Sequence, residues 1–131
     1  MFARLRGIAL LVLAGPFFAA ASDAVAGSDI GLTGNWSRTD GQARIHIERC
    51  GDSVCAVNTW VKDPAKGELV GDRFVMTVRP RQPTTLAGEA FDVRRGLTYS
   101  FLISLDQDAM TTKGCLVASV VCRTMNWVRV P

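Results

Sequence analysis

Leu97-Thr98-Tyr99-Ser100-Phe101-Leu102-Ile103-Ser104-Leu105 decides how the rest of the chain is read. Leu97, Tyr99, Phe101, Ile103 and Leu105 share one face of an extended chain, and Thr98, Ser100, Leu102 and Ser104 take the other. Such period-two alternation marks a strand with one buried face. Turn chemistry brackets the run, with Arg94-Arg95-Gly96 before it and Asp106-Gln107-Asp108 after it. Glycine tolerates positive φ and aspartate bonds its own backbone, so both ends read as chain reversals.

The same signature extends outward in both directions. Short alternating runs predict strands near 33–38, 43–50, 55–62, 73–79, 86–92, 97–105, 109–114 and 120–129, with a further short one at 68–70. Thr39-Asp40-Gly41, Gly51-Asp52, Asp63-Pro64, Gly71-Asp72 and the segment from Pro80 to Pro83 supply the remaining breaks. No long 3.6-residue apolar period follows Ala26. The expected fold is all-β: a small antiparallel up-and-down β-barrel of about eight strands. Consecutive strands on short loops form a meander, and closing it removes the exposed edges.

That reading applies to residues 27–131, taken as one domain. Residues 1–26 read differently. Nineteen of them are hydrophobic, Arg4 and Arg6 form a positive start, Gly7 to Ala21 is an apolar stretch, and Ala24-Val25-Ala26 is a small-x-small cleavage site. Cleavage after Ala21, within Ala19-Ala20-Ala21, is the alternative. The apolar run is about five residues short of the ~20 that a bilayer requires, and Pro16 interrupts it, so a cleaved signal peptide is expected rather than a membrane span. Leu5 separates the two arginines, which excludes a twin-arginine signal, and no cysteine follows either site to carry a lipid anchor. The expected destination is periplasmic or secreted.

An oxidising destination sets the chemistry of Cys50, Cys55, Cys115 and Cys122, an even count that favours disulfides. Three connectivities exist. Spacing favours Cys50 with Cys55, around a turn at Gly51-Asp52-Ser53-Val54, and, less firmly, Cys115 with Cys122 across a longer apolar stretch. A four-cysteine zinc site lacks the usual two-to-four-residue spacing. With Cys50 opposite Cys55, Ile45 pairs with Trp60 in an apolar cluster, while His46 lies with Arg44 and Glu48 on a polar outer face.

Several pieces form a wider pattern: Gly34-Asn35-Trp36, Glu48-Arg49-Cys50-Gly51-Asp52-Ser53-Val54-Cys55, Gly88-Glu89-Ala90-Phe91-Asp92, Gly96-Leu97-Thr98-Tyr99, Lys113-Gly114-Cys115-Leu116, and Cys122 through Trp127-Val128-Arg129. Over nearly the whole of 27–131 this resembles the bacterial exported family known as domain of unknown function 2147. The terminal Gly-Cys…Cys-Arg…Trp-x-Arg block is its most specific part. Ala56 stands where the family usually has glycine, and Val93 where it usually has proline. The resemblance implies a lipocalin-like barrel, in which an early Gly-x-Trp packs beneath an arginine from the last strand. Gly34, Trp36 and Arg129 fit that arrangement as a structural closing pair. An indole face offered to a guanidinium is worth ~0.5–2 kcal/mol by burial, so the pair needs no ligand to explain it.

The chain offers little to catalysis. His46 is its one histidine, and neither a Gly-x-Ser-x-Gly elbow nor a His-Glu-x-x-His helix is present. Asp72 and Asp92 are a candidate carboxylate pair, but both sit at turns, where aspartate is common for local reasons. No enzyme activity, metal or cofactor is expected. Formal charge is +3 overall and +2 without the leader, which argues against a nucleic-acid partner. Arg73, Arg79, Arg81, Arg94 and Arg95 are interleaved with Asp72, Glu89 and Asp92, a mixed surface that steers partners weakly.

Binding remains. An antiparallel barrel holds small molecules in its interior or at its mouth, and Trp60, Met76, Tyr99, Phe101 and Trp127 are the candidate lining for an apolar or amphipathic ligand. The alternative is a filled barrel acting as an envelope structural module, contacting another protein or a second copy of itself. A large open apolar interior favours the first, and a packed interior beside an exposed apolar patch favours the second. With roughly 13 residues for each strand and its loop, a shallow or filled interior is expected rather than a large calyx. The exported form should begin at Gly27 and hold no free thiol. Intact-mass measurement after alkylation without reductant checks both points: two or more adducts would contradict the disulfides, and an N-terminus at Met1 would contradict export.

Overall fold

The structure is a computed structural model and describes residues 11–16, 31–117 and 120–131. Apart from 11–16, residues 1–26, whose sequence reads as a leader, lie outside the described residues. The strands are β1 (Gly34–Arg38), β2 (Ala43–Cys50), β3 (Ser53–Val61), β4 (Arg73–Gln82), β5 (Thr85–Asp92), β6 (Leu97–Asp106), β7 (Ala109–Leu116) and β8 (Cys122–Val130). Each pairs antiparallel with the next, and β1 pairs with β8, so the sheet is a closed eight-stranded up-and-down barrel. The β1–β2, β3–β4, β5–β6 and β7–β8 loops gather at one end, here the mouth. The other three hairpins and residues 31–33 lie at the base.

Alternation decides what faces inward. On β6, Ile103 is fully buried, Tyr99, Phe101 and Leu105 are half-buried, and Ser100 and Ser104 are exposed. Met76 and Val78 on β4, Ala90 on β5 and Ile45 and Ile47 on β2 join the same core. Among the described residues no second sheet or long helix covers the barrel, so this inner face carries their hydrophobic stabilisation.

Four local expectations needed correction, each for an identifiable reason. Cys50 pairs with Ser53 rather than Cys55, which makes the β2–β3 loop the two residues Gly51-Asp52. Gly51 has φ 66°, and glycine first in a two-residue loop is the II′ hairpin requirement. The register also shifts between Arg44 and Ile45, where Ile45 faces Asn58 and Arg44 faces Trp60. Thr59 is the extra residue of a bulge, and one extra residue inverts parity beyond it. Trp60 therefore points outward, 44% exposed, with the Arg44 guanidinium 5.7 Å from its ring centroid.

Third, β4 runs through Pro80 to Gln82. β3 pairs only with Arg73 to Met76, so Pro80 has no neighbour there that needs its missing N–H. Last, 68–70 is not a strand. The Leu69 carbonyl accepts from the Asp72 N–H and the Asn58 side chain, which curls the segment into a turn.

The base is shut by a packed plug. Trp36 and Arg129 are direct partners across the β1–β8 seam, and the Arg129 guanidinium carbon lies 4.3 Å from the Trp36 ring centroid. Trp36 and Leu32 are both fully buried, and the indole N–H donates to the Leu32 carbonyl at 2.8 Å. Arg129 also donates to the carbonyls of Thr33 (2.8 Å) and Gly31 (2.6 Å) and pairs with Asp108 at 3.2 Å. Gly34 makes room for this. It has φ 133°, and a Cβ there would sit 2.7 Å from Arg129 Nη1.

Trp36→Ala should cost about 3–5 kcal/mol, as large aromatic truncations in cores do. Arg129→Ala should cost less, and Gly34→Ala should lower stability through strain at positive φ. Denaturant unfolding of the single and double variants of Trp36 and Arg129 checks the contact: the two losses should be non-additive.

Candidate functional site

Above the plug the inner face bounds a cavity of about 540 Å³ that reaches the mouth residues Arg38, Glu68 and Arg123, within the 300–1,000 Å³ typical of small-molecule sites. Toward the base the interior is close-packed, with Ile47, Ile103 and Met110 each at most 2% exposed. Its deep wall is apolar, with Ile47, Met76, Phe101, Ile103, Met110 and Trp127 among the lining residues. Two polar side chains on the wall are already engaged. Thr112 Oγ1 accepts from the Trp127 indole at 3.0 Å, and Asn58 donates to the Leu69 carbonyl at 3.2 Å. Such a wall excludes water-loving solutes and offers an apolar molecule surface without demanding hydrogen bonds.

The mouth has the opposite character. Arg38, the last residue of β1, points inward and is 4% exposed. Its guanidinium forms a two-pronged pair with Glu68 at 3.0 and 3.1 Å and binds Asp40 at 2.9 Å. It also lies 5.9 Å from the Trp127 ring centroid. One arginine thus ties the β3–β4 loop to the β1–β2 turn and holds the indole below. Bidentate geometry of this kind fixes orientation as well as charge.

From the opposite rim, the β5–β6 turn grips the same β3–β4 loop. Arg94 bonds both Asp72 oxygens, at 2.5 and 2.8 Å, and the Gly67 carbonyl at 2.6 Å. Arg95 bonds that carbonyl too, and Asp92 at 2.8 Å. Asp72 and Asp92 are both buried, so leaving either without its arginine would strand a charge. The two carboxylates are therefore committed to holding loops, each with its own cation. Hydrogen bonding to Arg94, against the opposing effect of burial, holds the Asp72 carboxyl below its ordinary pKa and raises that of Arg94.

The structure brings four of the five candidate lining residues together. Met76 and Trp127 are buried in the wall, and Tyr99 and Phe101 stand half-buried beside them, with Phe74 and Tyr99 in tilted contact at 6.4 Å between ring centroids. Trp60 is the exception, turned outward by the Thr59 bulge. His46 is on the outer face, its Nδ1 2.8 Å from Asn35 Oδ1, away from the cavity. Disulfides join Cys50 to Cys55 and Cys115 to Cys122, a pattern consistent with an oxidising compartment. Sequence reasoning missed Arg38 and its partner Glu68. Two-residue spacing from Trp36 puts Arg38 on the inner face, but a partner 30 residues away has no local signal.

Among the described residues, no side-chain cluster of the metal-binding type is present, and no helix is long and apolar enough to cross a membrane. What the geometry defines is a closed eight-stranded antiparallel barrel with one sealed end and one open end. The chain belongs to the family described as "Uncharacterized protein conserved in bacteria (DUF2147)", whose profile matches residues 34–129. Among solved structures it is similar to a redesigned β-barrel at 14% identity and a TM-score of 0.52, covering 80% of this chain and 96% of that one, a likeness of fold alone. No protein in the curated set matches it.

The Asp72–Arg94 clamp has a definite pH signature. A carboxyl whose folded pKa lies below its unfolded one adds stability that is present above the unfolded value, about 4, and is lost as pH falls through the folded value. The melting temperature should therefore fall on acidification below about pH 4. Asp72→Asn should melt lower at neutral pH and decline less steeply in acid. Thermal unfolding across that range checks it, and parallel curves for the two proteins would contradict it.

Proposed function

We propose that this protein is an exported, non-enzymatic binding protein of the periplasm or extracellular space, holding a small apolar or amphipathic ligand in its barrel. The cavity carries this reading. It is larger than the shallow interior expected from strand length, much of its wall is apolar, and its lining extends to the mouth loops. The wall favours a hydrocarbon or aromatic body. The rim favours a polar group, because Lys66 and Arg123 line the opening beside Asp40, Asp63 and Glu68, with neither cation in a direct ion pair among the described residues. Disulfides and the leader-like first 26 residues support export. The placement of His46, and the pairing of Asp72 and Asp92 with arginines, support a role without catalysis.

A fluorescent apolar probe such as anilinonaphthalene sulfonate should bind the folded protein and be displaced by ligands extracted from the cell envelope. Ala56 lines the cavity with almost no side chain, and Ala56→Phe fills space there. That variant should keep its near-UV circular dichroism and lose probe binding roughly tenfold or more, since each buried CH₂ contributes about 0.8 kcal/mol. Unchanged binding in folded Ala56→Phe would place the probe outside the barrel and contradict the reading.

A further inference from the structure

The two ends of the barrel differ outside as well as inside. Among described residues 31–117 and 120–131, every large hydrophobic side chain that is exposed lies in the mouth half, except Val128. Three of the four mouth loops carry them: Leu69 and Val70 between β3 and β4, Val93 and Leu97 at the β5–β6 turn, and Val117 and Val120 between β7 and β8. Val120 is 97% exposed and Val70 63%. Connecting loops run over the surface, so large apolar side chains exposed on three loops at one end call for a partner. The base hairpins, by contrast, end in Gly51-Asp52, Pro83-Thr84 and Gln107-Asp108.

Charge follows the same axis. Dividing each strand at its midpoint gives the mouth half nine Lys and Arg side chains against six carboxylates, and the base half four against four. Lys62, Lys66 and Arg123 are exposed at the rim, and among the described residues none has a carboxylate within ion-pair distance. The Cys115–Cys122 disulfide, with 4.0 Å between Cα atoms, pins the base of the loop that carries Val117 and Val120. Valines and leucines on three loops, beside Lys62, Lys66 and an Arg123 whose charge reaches Asp40 without a direct ion pair, match the boundary between anionic headgroups and acyl chains.

We propose that the mouth end docks on an anionic lipid surface, loops first, with the barrel axis directed into the leaflet. A lipid source is favoured over a protein because the apolar residues are spread over three loops around an opening rather than forming one flat patch. Docking also brings the apolar rim and the apolar cavity wall into continuity, so a hydrophobic molecule would pass between leaflet and barrel without crossing water. That last step rests on the binding reading above, whereas docking itself does not.

Flotation of the oxidised protein with vesicles separates the two. Vesicles of mixed phosphatidylethanolamine and phosphatidylglycerol should carry the protein upward, phosphatidylcholine alone should carry much less, and added salt should release it. Val117→Asp with Val120→Asp should cut vesicle partitioning roughly tenfold or more, since it removes two apolar contacts and adds two negative charges. Both residues are exposed, so the melting temperature should stay near wild type. Val128→Asp and Arg81→Glu, at the base, should float like wild type. Three results would overturn docking: no flotation with anionic vesicles, equal binding to phosphatidylcholine, or losses in the base variants matching those at the mouth. Self-association that depends on Val117 and Val120, without vesicle binding, would reassign the rim to a second copy of the chain. Flotation reads docking whatever the cavity holds, so loss of probe binding and loss of flotation are distinguishable failures.

Discussion

The contact of the Trp36 indole with the Arg129 guanidinium is the constraint on which the rest of the structure depends. It joins the first strand to the last, and a meander of eight strands becomes a barrel only at that seam. The same guanidinium holds the carbonyls of Gly31 and Thr33, which lays Leu32 across the opening as a plug. Closure of the sheet and sealing of one end are therefore a single event. Gly34 is the permissive element, since any side chain there would collide with Arg129.

The mouth is ordered by different physics. Among the described residues no apolar plug is present there, and the β3–β4 loop is held by arginines from two sides, Arg38 on one and Arg94 with Arg95 on the other. Ion pairs position loops without filling space, which leaves the cavity open beneath them. Each of the short disulfide loops contributes only about 2–2.5 kcal/mol in the chain-entropy model. Their main consequence is local, one fixing the base hairpin and the other the apolar β7–β8 loop. An apolar plug lies below, a charged clasp above and an apolar wall between them, and exposed valines stand on the loops around the mouth.

Most of this framework was legible in the residues. Alternation on 97–105 gave a strand and its inward face, and turn residues separated eight strands within a few positions of those observed. The misreadings share a cause. Thr59 adds one residue to β3, and period-two reasoning carries parity across a bulge without noticing it, so Trp60 was assigned to the wrong side. The cysteine spacing suggested direct opposition, yet Gly51 favours a tighter turn, and the disulfide spans the ladder obliquely instead. Pro80 reads as a strand terminator unless it is known that β3 has already left that side of β4. The Arg38–Glu68 pair and the cavity volume depend on how distant loops and side chains fill space. No local pattern encodes either.

The central claim is that the sealed barrel receives an apolar molecule through its one mouth, and methionine methyl resonances report on it directly. Met76, Met110 and Met125 all line the cavity, and Met1 is the chain's fourth methionine. In a protein spanning residues 27–131 and labelled with ¹³C at these three methionine methyls, three resonances should therefore report from inside the barrel. Titration with an envelope lipid extract should shift all three together, with the mouth residue Met125 and the deep residue Met110 following one saturation curve. Resonances that stay fixed throughout the titration, while the protein remains folded, would contradict the account.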